Sequence, residues 1–187
     1  MKTMTEVLFL EIGINKEWIW MAAVVIYYSR AGENYFGGQY RYVDKGNTEI
    51  VAEKIAAATG AALFKIEQTV PYSDDYQICI QQAREDLKKQ VRPELAAYPK
   101  DMAVDEIYLG YPNYWGDLPM AVYTFLERYN WQGKTIHPFC THEGSGLGNT
   151  VGHIGQACPG AAVTEGLAVL GSQAAQSDGA VSAWLNR

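Results

Sequence analysis

The sequence predicts an α/β fold in which helices cover both faces of a parallel sheet. Short apolar runs alternate along the chain with segments whose apolar residues recur at helical spacing, and no internal repeat or low-complexity linker interrupts this order. Apolar residues make up 48% of the 187 residues, which is enough for a sizeable core. Alternation of this kind is typical of parallel strands that are buried on both faces.

The first strand and helix are separated by a polar segment. Residues 23–28 are continuously apolar or aromatic, as expected of a buried strand. Asn47 or Thr48 is expected to cap a helix in which Ile50, Val51 and Ile55 recur at helical spacing, and Gly60 is expected to end it.

The later elements follow the same logic. Apolar runs predict four more strands, at 62–66, 106–110, 135–140 and 162–170. Helical patterns follow them at 75–91, 119–129, 150–158 and 179–186, and Pro119 is expected to start the second of these helices. We interpret 75–91, which is rich in Gln, Arg, Glu and Lys, as an insertion that runs over the surface.

Charge and cysteine content exclude several classes of protein. With 15 basic and 21 acidic residues the formal charge is −6, so we expect no general attraction to nucleic acid or to an anionic membrane. The longest apolar stretch, 18–28, is shorter than the roughly 20 residues that span a bilayer. The chain has three cysteines, Cys79, Cys140 and Cys158, and their odd number and wide spacing favour reduced thiols. The sequence also shows no signal-peptide pattern, and the two observations together predict a cytoplasmic protein.

Residues 1–20 fit poorly with the pattern that follows. Met21 leads directly into the first strand, so we interpret 1–20 as an N-terminal extension, a cloning remnant or a mis-assigned start, and 21–187 as a single domain. The alternative is an extra edge element that packs through Val7, Leu8, Phe9 and Trp20.

Three loops are expected to meet at one edge of the sheet, because ligands of such sheets bind beyond the carboxyl ends of the strands. The loop after the first strand supplies four donors for phosphate oxygens: Ser29, Arg30, Asn47 and Thr48. The loop after the third strand supplies the flat side chains of Tyr114 and Trp115. Glycines after the fourth strand let backbone N–H groups approach a planar ligand.

Three motifs in this order resemble the flavodoxin-like FMN proteins. They are Tyr-Tyr-Ser-Arg with Gly-Asn-Thr-Glu-Ile-Val-Ala, then Gly-Tyr-Pro-Asn-Tyr-Trp-Gly, then Thr-His-Glu-Gly-Ser-Gly, and the resemblance extends from residue 23 to the end of the chain. It implies a flavodoxin-like three-layer sandwich, with a five-stranded parallel sheet of order 2-1-3-4-5, helices on both faces and FMN at the sheet edge.

The resemblance also implies which residues bind FMN. The phosphate would be held by Ser29, Arg30, Asn47 and Thr48. The two sides of the isoalloxazine ring would be lined by Pro112, Asn113, Tyr114 and Trp115, and by Thr141, His142, Glu143, Gly144, Ser145 and Gly146. His142 is a candidate donor to N1 or O2 of the reduced ring, and no residue is expected to act as a catalytic acid or base.

Residues 31–45 depart from the family pattern, because they separate the two halves of the phosphate motif. Asn34 or Gln39 could replace a phosphate contact. Aromatic side chains could instead form a flap over the cofactor: Tyr35, Phe36, Tyr40 and Tyr42. A plain surface hairpin is the favoured interpretation.

Other readings of the same residues are weaker. His142, Glu143 and His153 do not have the spacing of a recognised metal site. Ser145 lacks the flanking glycines of a hydrolase elbow, and no G-x-G-x-x-G follows the first strand as a Rossmann site requires. Trp115 could instead be a core or dimer-interface residue. Basic side chains of the second helix could meet a nicotinamide dinucleotide phosphate: Arg84, Lys88, Lys89 and Arg92.

Two functions follow from bound FMN. The protein could be an electron carrier between redox partner proteins, which its acidic surface favours. It could also be an oxidoreductase in which NADH or NADPH reduces the flavin and a quinone or similar small acceptor takes the electrons, which the extra aromatic segment favours. A flavin-free structural domain is a third and weaker interpretation. A homodimer that pairs at the cofactor edge is compatible with the sequence.

Overall fold

The computed structural model describes residues 23–100 and 102–187, so the expectations for 1–20 lie outside the described residues. In chain order the elements are β1 (Ala23–Tyr28), β2 (Gly32–Phe36), β3 (Gln39–Val43), α1 (Asn47–Thr59), β4 (Ala62–Ile66), α2 (Tyr76–Lys89), β5 (Glu106–Pro112), α3 (Met120–Leu126), β6 (Thr135–His142), α4 (Thr150–Ala157), β7 (Ala162–Val163), β8 (Leu167–Leu170), a 3₁₀ helix (Gly171–Gln176) and α5 (Asp178–Leu185). The main sheet is parallel and has the order β4-β1-β5-β6, with β7 and β8 both paired to β6. This confirms the predicted order 2-1-3-4-5.

Two apolar clusters lie on the two faces of the sheet. Val25 belongs to the cluster that includes Ile55 of α1 and Trp184 of α5. Its neighbour Ile26 points to the other face, into the cluster that includes Phe125 of α3 and Ile154 of α4. Both faces of β1 are therefore buried, as its continuous apolar sequence predicts. No helix in the described part of the chain is long and apolar enough to cross a membrane.

The strands that border the site are longer than predicted. Pro112 pairs with Thr141, and His142 pairs with Leu170 of β8. Pro112, Thr141 and His142 were expected in loops, but β6 has a neighbouring strand on each side and the ladder extends through them. Pro112, Thr141 and His142 therefore lie at the rigid ends of strands.

The predicted cap of α1 is wrong. The N-cap is Gly46, and Asn47 is the first helical residue. Gly46 has no side-chain capping bond; instead Ser29 Oγ reaches from the preceding loop and accepts a hydrogen bond from Glu49 N at 3.1 Å. A Cβ at residue 46 would overlap Ser29 Oγ and the carbonyl oxygen of Arg30, which explains the glycine.

The predicted fifth strand, 162–170, is divided into β7 and β8. Thr135 pairs with Ala162 whereas Phe139 pairs with Leu167, so the edge strand contains one more residue than β6 over this span. An extra residue of this kind is a β-bulge, which apolar content alone does not reveal.

Residues 31–45 form a hairpin, and the helix predicted within 75–91 lies at the surface but packs inward through two residues. Within the part of the chain that the structure describes, strands β2 and β3 pair only with each other, through a two-residue turn in which Gly37 and Gly38 have φ of 51° and 104°. Helix α2 buries Cys79 and Ala83 and packs against β2, so its polar composition describes only its outer side.

Candidate functional site

Two adjoining cavities lie at the carboxyl ends of β1, β5 and β6. The smaller cavity, about 110 Å³, includes the first residues of α1 in its wall. The larger, about 390 Å³, lies between the β2–β3 hairpin, α2 and the turn after β5. Seven residues belong to both walls: Arg30, Asn34, Tyr35, Tyr76, Asn113, Tyr114 and Glu143.

The smaller cavity is lined by hydrogen-bond donors that suit an anion. Asn47 and Thr48 begin α1, where backbone N–H groups have no partner within the helix and the helix dipole is positive. Thr48 Oγ1 and Thr141 Oγ1 lie 2.8 Å apart in the wall, so one hydroxyl proton joins the pair and the other can donate into the cavity. Ser29 Oγ accepts from the backbone and can likewise donate its proton. This arrangement can bind a phosphate group.

Arg30 supports the loops around the cavities. Its guanidinium donates to the carbonyl oxygens of Ser73, Asp74 and Glu33 at 2.7, 2.6 and 2.6 Å. The side chain lines both cavities, but its donors already bind backbone carbonyl oxygens of the hairpin and of the loop before α2.

Gly171 is a cavity residue that the sequence does not mark. It follows β8 and lines the smaller cavity. A Cβ at this position would lie 2.6 Å from Asn47 Nδ2 and 2.9 Å from Glu143 Oε1. The missing side chain therefore allows the ends of the Asn47 and Glu143 side chains to lie close to the backbone of residue 171.

Trp115 is held in an unusual backbone conformation. Tyr114 and Asp117 exchange two backbone hydrogen bonds of 3.0 Å, and the two residues between them, Trp115 and Gly116, have φ of 59° and 83°. Positive φ at both positions is the type I′ geometry that normally selects Asn or Gly, so a tryptophan here is strained. Such strain at a cavity wall is a feature of functional sites.

The indole of Trp115 is fixed against α2. Its Nε1 donates to the carbonyl oxygen of Ile80 at 3.0 Å, and the guanidinium of Arg84 lies 5.0 Å from its ring centre. The side chain is 51% exposed and borders the larger cavity. It therefore presents a flat apolar surface to a ligand in that cavity.

Asn113 connects the loops after β5 and β6. Its Nδ2 donates to the carbonyl oxygen of Gly146 at 3.0 Å, and its Oδ1 accepts from Gly116 N at 2.8 Å. Its backbone N–H donates to Thr141 O at 2.9 Å. These bonds fix the two loops relative to each other.

Tyr114 and Cys79 form an uncharged wall of the larger cavity. The Tyr114 ring packs edge-on against Tyr28 at 6.1 Å, and its hydroxyl lies 4.0 Å from Cys79 Sγ. Burial raises the pKa of the Tyr114 phenol and the pKa of the Cys79 thiol. Both groups are therefore protonated near neutral pH, and Cys79 lacks the thiolate character of a nucleophile.

His142 is a neutral imidazole with a defined tautomer. Its Nδ1 accepts a hydrogen bond from Gly144 N at 2.9 Å, which leaves the proton on Nε2. Burial lowers the pKa of His142, and nearby Glu143 acts in the opposite direction. Since His142 lines the smaller cavity, its Nε2–H can serve as a donor there.

Glu143 bridges two segments that are distant in sequence. Its Oε1 accepts from Ser172 N at 2.5 Å, at the start of the 3₁₀ helix. Its Oε2 accepts from Gly37 N at 3.1 Å, in the turn of the β2–β3 hairpin. The carboxylate thus connects the end of β6 with the hairpin tip.

Comparison with known proteins identifies the family. Residues 40–187 match the family model described as flavodoxin. The chain belongs to the flavodoxin family. No curated protein matches it.

Solved structures share this flavodoxin fold. A candidate flavoprotein from Bacteroides eggerthii is 26% identical, with a TM-score of 0.70 over 88% of this chain and 95% of its own. A second, from Bacteroides uniformis, is 24% identical, with a TM-score of 0.71 over 88% and 97%. A flavoprotein from Lactobacillus acidophilus, solved in complex with FMN, is 20% identical, with a TM-score of 0.60 over 82% and 96%.

The structure brings most of the predicted flavodoxin site together. The predicted residues that line the two cavities are Ser29, Arg30, Asn47, Thr48, Pro112, Asn113, Tyr114, Trp115, Thr141, His142, Glu143 and Ser145. Gly144 and Gly146 lie outside both walls and act through their bonds to His142 and Asn113. The sequence missed Tyr76, Cys79, Ile80 and Ala83 of α2, together with Gly116 and Gly171.

The candidate ligands His142, Glu143 and His153 do not form a metal cluster in the described residues. Within 23–100 and 102–187, no three His, Cys, Asp or Glu side chains come together as metal ligands. His153 instead pairs through Nδ1 with Asp117 Oδ1 at 2.7 Å.

Proposed function

We propose that this flavodoxin binds FMN in the two joined cavities and carries electrons between redox partners in the cytoplasm. The observation that supports this most strongly is the placement of the Thr48–Thr141 pair and the start of α1 at one end, and of the Trp115 indole at the other. The first end suits a phosphate and the second suits a planar ring. The FMN bound by the flavoprotein from Lactobacillus acidophilus is consistent with this choice of cofactor.

The residues present fit FMN in their chemistry. Ser29, Asn47 and Thr48 would hold the phosphate through uncharged donors, and the absence of a Cβ at Gly171 leaves room beside them. Trp115 would cover a face of the ring, and Asn113 would position the turn that carries Trp115. When bound, FMN supplies one- and two-electron redox chemistry.

The chain's own residues have a supporting role. Helix α2 and the hairpin exclude water from one side of the larger cavity through Ile80, Ala83 and Tyr35. His142 holds a proton on Nε2 at the wall of the smaller cavity and can hydrogen-bond to an electronegative ring atom. No group in this account has to donate or remove a proton as a catalytic acid or base.

A second candidate function is an NADH- or NADPH-dependent reduction of a quinone or similar small acceptor. The observation that favours it is the larger cavity, about 390 Å³, which apolar residues of α2 and Tyr35 of the hairpin enclose on one side. A carrier needs no such apolar wall beside its flavin, whereas a small acceptor that approached the bound ring could contact it.

Redox assays of the FMN-reconstituted protein distinguish the two functions. We expect a chemical reductant such as dithionite to reduce the bound FMN stoichiometrically, and the reduced protein to pass its electrons to an acceptor protein such as cytochrome c, with no sustained consumption of NADH or NADPH. Many turnovers of either dinucleotide with a small quinone, and slow transfer to the acceptor protein, would contradict the carrier function and favour the enzyme.

A further inference from the structure

We propose that Glu143 is a positioning residue that clamps the β2–β3 hairpin over the joined cavities, and that this clamp sets how fast FMN leaves. The inference rests on the proposed function, because it concerns retention of the same cofactor. It assigns Glu143 to the hairpin, whereas the sequence predicted that Glu143 contacts the flavin.

The hairpin is a wall of the site that lies outside the main sheet. Asn34 and Tyr35 line both cavities, yet among the strands of 23–100 and 102–187, β2 and β3 pair only with each other. The position of this wall therefore depends on contacts at the base, middle and tip of the hairpin.

The base of the hairpin is firmly attached. Glu33 N donates to Asp74 O at 3.0 Å, and the Glu33 carboxylate accepts from Tyr76 N at 3.1 Å. Arg30 adds hydrogen bonds to the carbonyl oxygens of the same loop, including two to Ser73 O. Motion of the hairpin would therefore pivot about this end.

The middle of the hairpin packs on α2 through three tyrosines. The ring centres of Tyr35 and Tyr76 lie 6.2 Å apart, and those of Tyr40 and Tyr76 lie 5.4 Å apart. Gln77 Nε2 also donates to the Tyr40 hydroxyl at 2.7 Å. These contacts attach the hairpin to one side of the larger cavity.

The tip is attached on the opposite side by Glu143. The carboxylate is anchored by Ser172 N, and its other oxygen accepts from Gly37 N in an exposed bond of 3.1 Å. The hairpin therefore spans from α2 to the end of β6. A ligand that fills both cavities lies behind Asn34, Tyr35 and Glu143, and the exposed tip bond is the contact most easily broken to release it.

The test compares FMN release from the loaded wild-type protein and three variants. Glu143→Gln keeps only one acceptor oxygen, so it cannot accept hydrogen bonds from both Ser172 N and Gly37 N. Tyr40→Ala loosens the hairpin at a residue that lines neither cavity. Tyr42→Ala is the matched control, because Tyr42 lies on the same hairpin and is 69% exposed. We expect Glu143→Gln and Tyr40→Ala to release FMN about tenfold faster than wild type, which corresponds to a free-energy barrier lower by about 1.4 kcal/mol. Tyr42→Ala should release FMN at the wild-type rate.

Amide hydrogen exchange at Gly37 in the FMN-free proteins gives a second readout. The clamp predicts faster exchange in Glu143→Gln than in wild type. One result would overturn the clamp: FMN release is faster from Glu143→Gln, amide exchange at Gly37 is unchanged in that variant, and FMN release from Tyr40→Ala is unchanged. It would show that Glu143 contacts FMN directly. If all four proteins bind FMN and release it equally fast, the clamp alone fails; if the wild type takes up no FMN, the proposed function fails as well.

Discussion

The side-chain oxygens of Thr48 and Thr141 lie 2.8 Å apart in the buried floor of the site, although 93 positions separate them in the chain. Thr48 belongs to the first turn of α1, and Thr141 lies near the end of β6. This one bond therefore connects the helix start, which would hold a phosphate, with the strand that leads to His142 and Glu143.

The Thr48–Thr141 pair should show strong coupling. Thr48→Val or Thr141→Val leaves a buried hydroxyl without its partner, so each should lower the free energy of unfolding by about 1–3 kcal/mol. The double variant should cost clearly less than the sum of the two, because no hydroxyl remains unpaired. Urea denaturation of the four proteins measures this coupling, and strictly additive losses would contradict it.

Replacement of Trp115 should weaken FMN binding and increase the emission of bound flavin. The indole supplies the flat wall of the larger cavity, and an aromatic contact of about 0.5–1.5 kcal/mol corresponds to an affinity loss of up to about tenfold in Trp115→Ala. Trp115→Phe is a matched control, since it has the same strained φ but keeps a ring. Equal affinity and emission in the alanine variant, the phenylalanine variant and the wild type would contradict the assignment.

A methyl group at position 171 should obstruct the phosphate end of the site. In Gly171→Ala the Cβ would press on Asn47 Nδ2 and Glu143 Oε1, so these side-chain ends must shift, and we expect FMN affinity to fall by up to about tenfold, or about 1.4 kcal/mol. Gly179→Ala is the control, because a Cβ there meets no atom within 4 Å. Fluorescence titration of both variants checks the difference, and equal affinities would contradict the crowding.

Titration of His142 should make stability depend on pH. Burial lowers the pKa of the folded imidazole below its usual 6.5, so the unfolded chain binds this proton more readily. The stability linked to His142 is therefore complete above about pH 6.5 and is lost as the pH falls toward the pKa of the folded state. His142→Asn keeps an acceptor for Gly144 N and cannot titrate, so urea midpoints at about pH 5 and about pH 7.5 should differ less than in wild type. An unchanged pH dependence would contradict this role.

The sheet order and the three loops were predictable because their signals are local. The buried strand β1 is a continuous apolar run, Ser29 and Trp115 follow strands within a few residues, and His142 ends one. Parallel strands then bring their carboxyl ends to one edge, which is why local patterns located a site formed by distant segments.

The missed features depend on contacts between segments that are far apart. The extension of β6 to His142 requires β8 on its outer side, and the cap of α1 requires Ser29 beside Gly46. The clamp joins Gly37 to Glu143, which are 106 positions apart. The inward contacts of helix α2 were missed because its exposed polar side dominates its composition, while Cys79 and Ala83 are buried.

The most direct test of this account is a titration of the FMN-free protein with FMN, followed by flavin fluorescence. The account predicts saturable quenching with one FMN per chain, weakened in Thr48→Val and in Trp115→Ala. A wild-type protein that leaves flavin emission unchanged and stays colourless after incubation with excess FMN would contradict it.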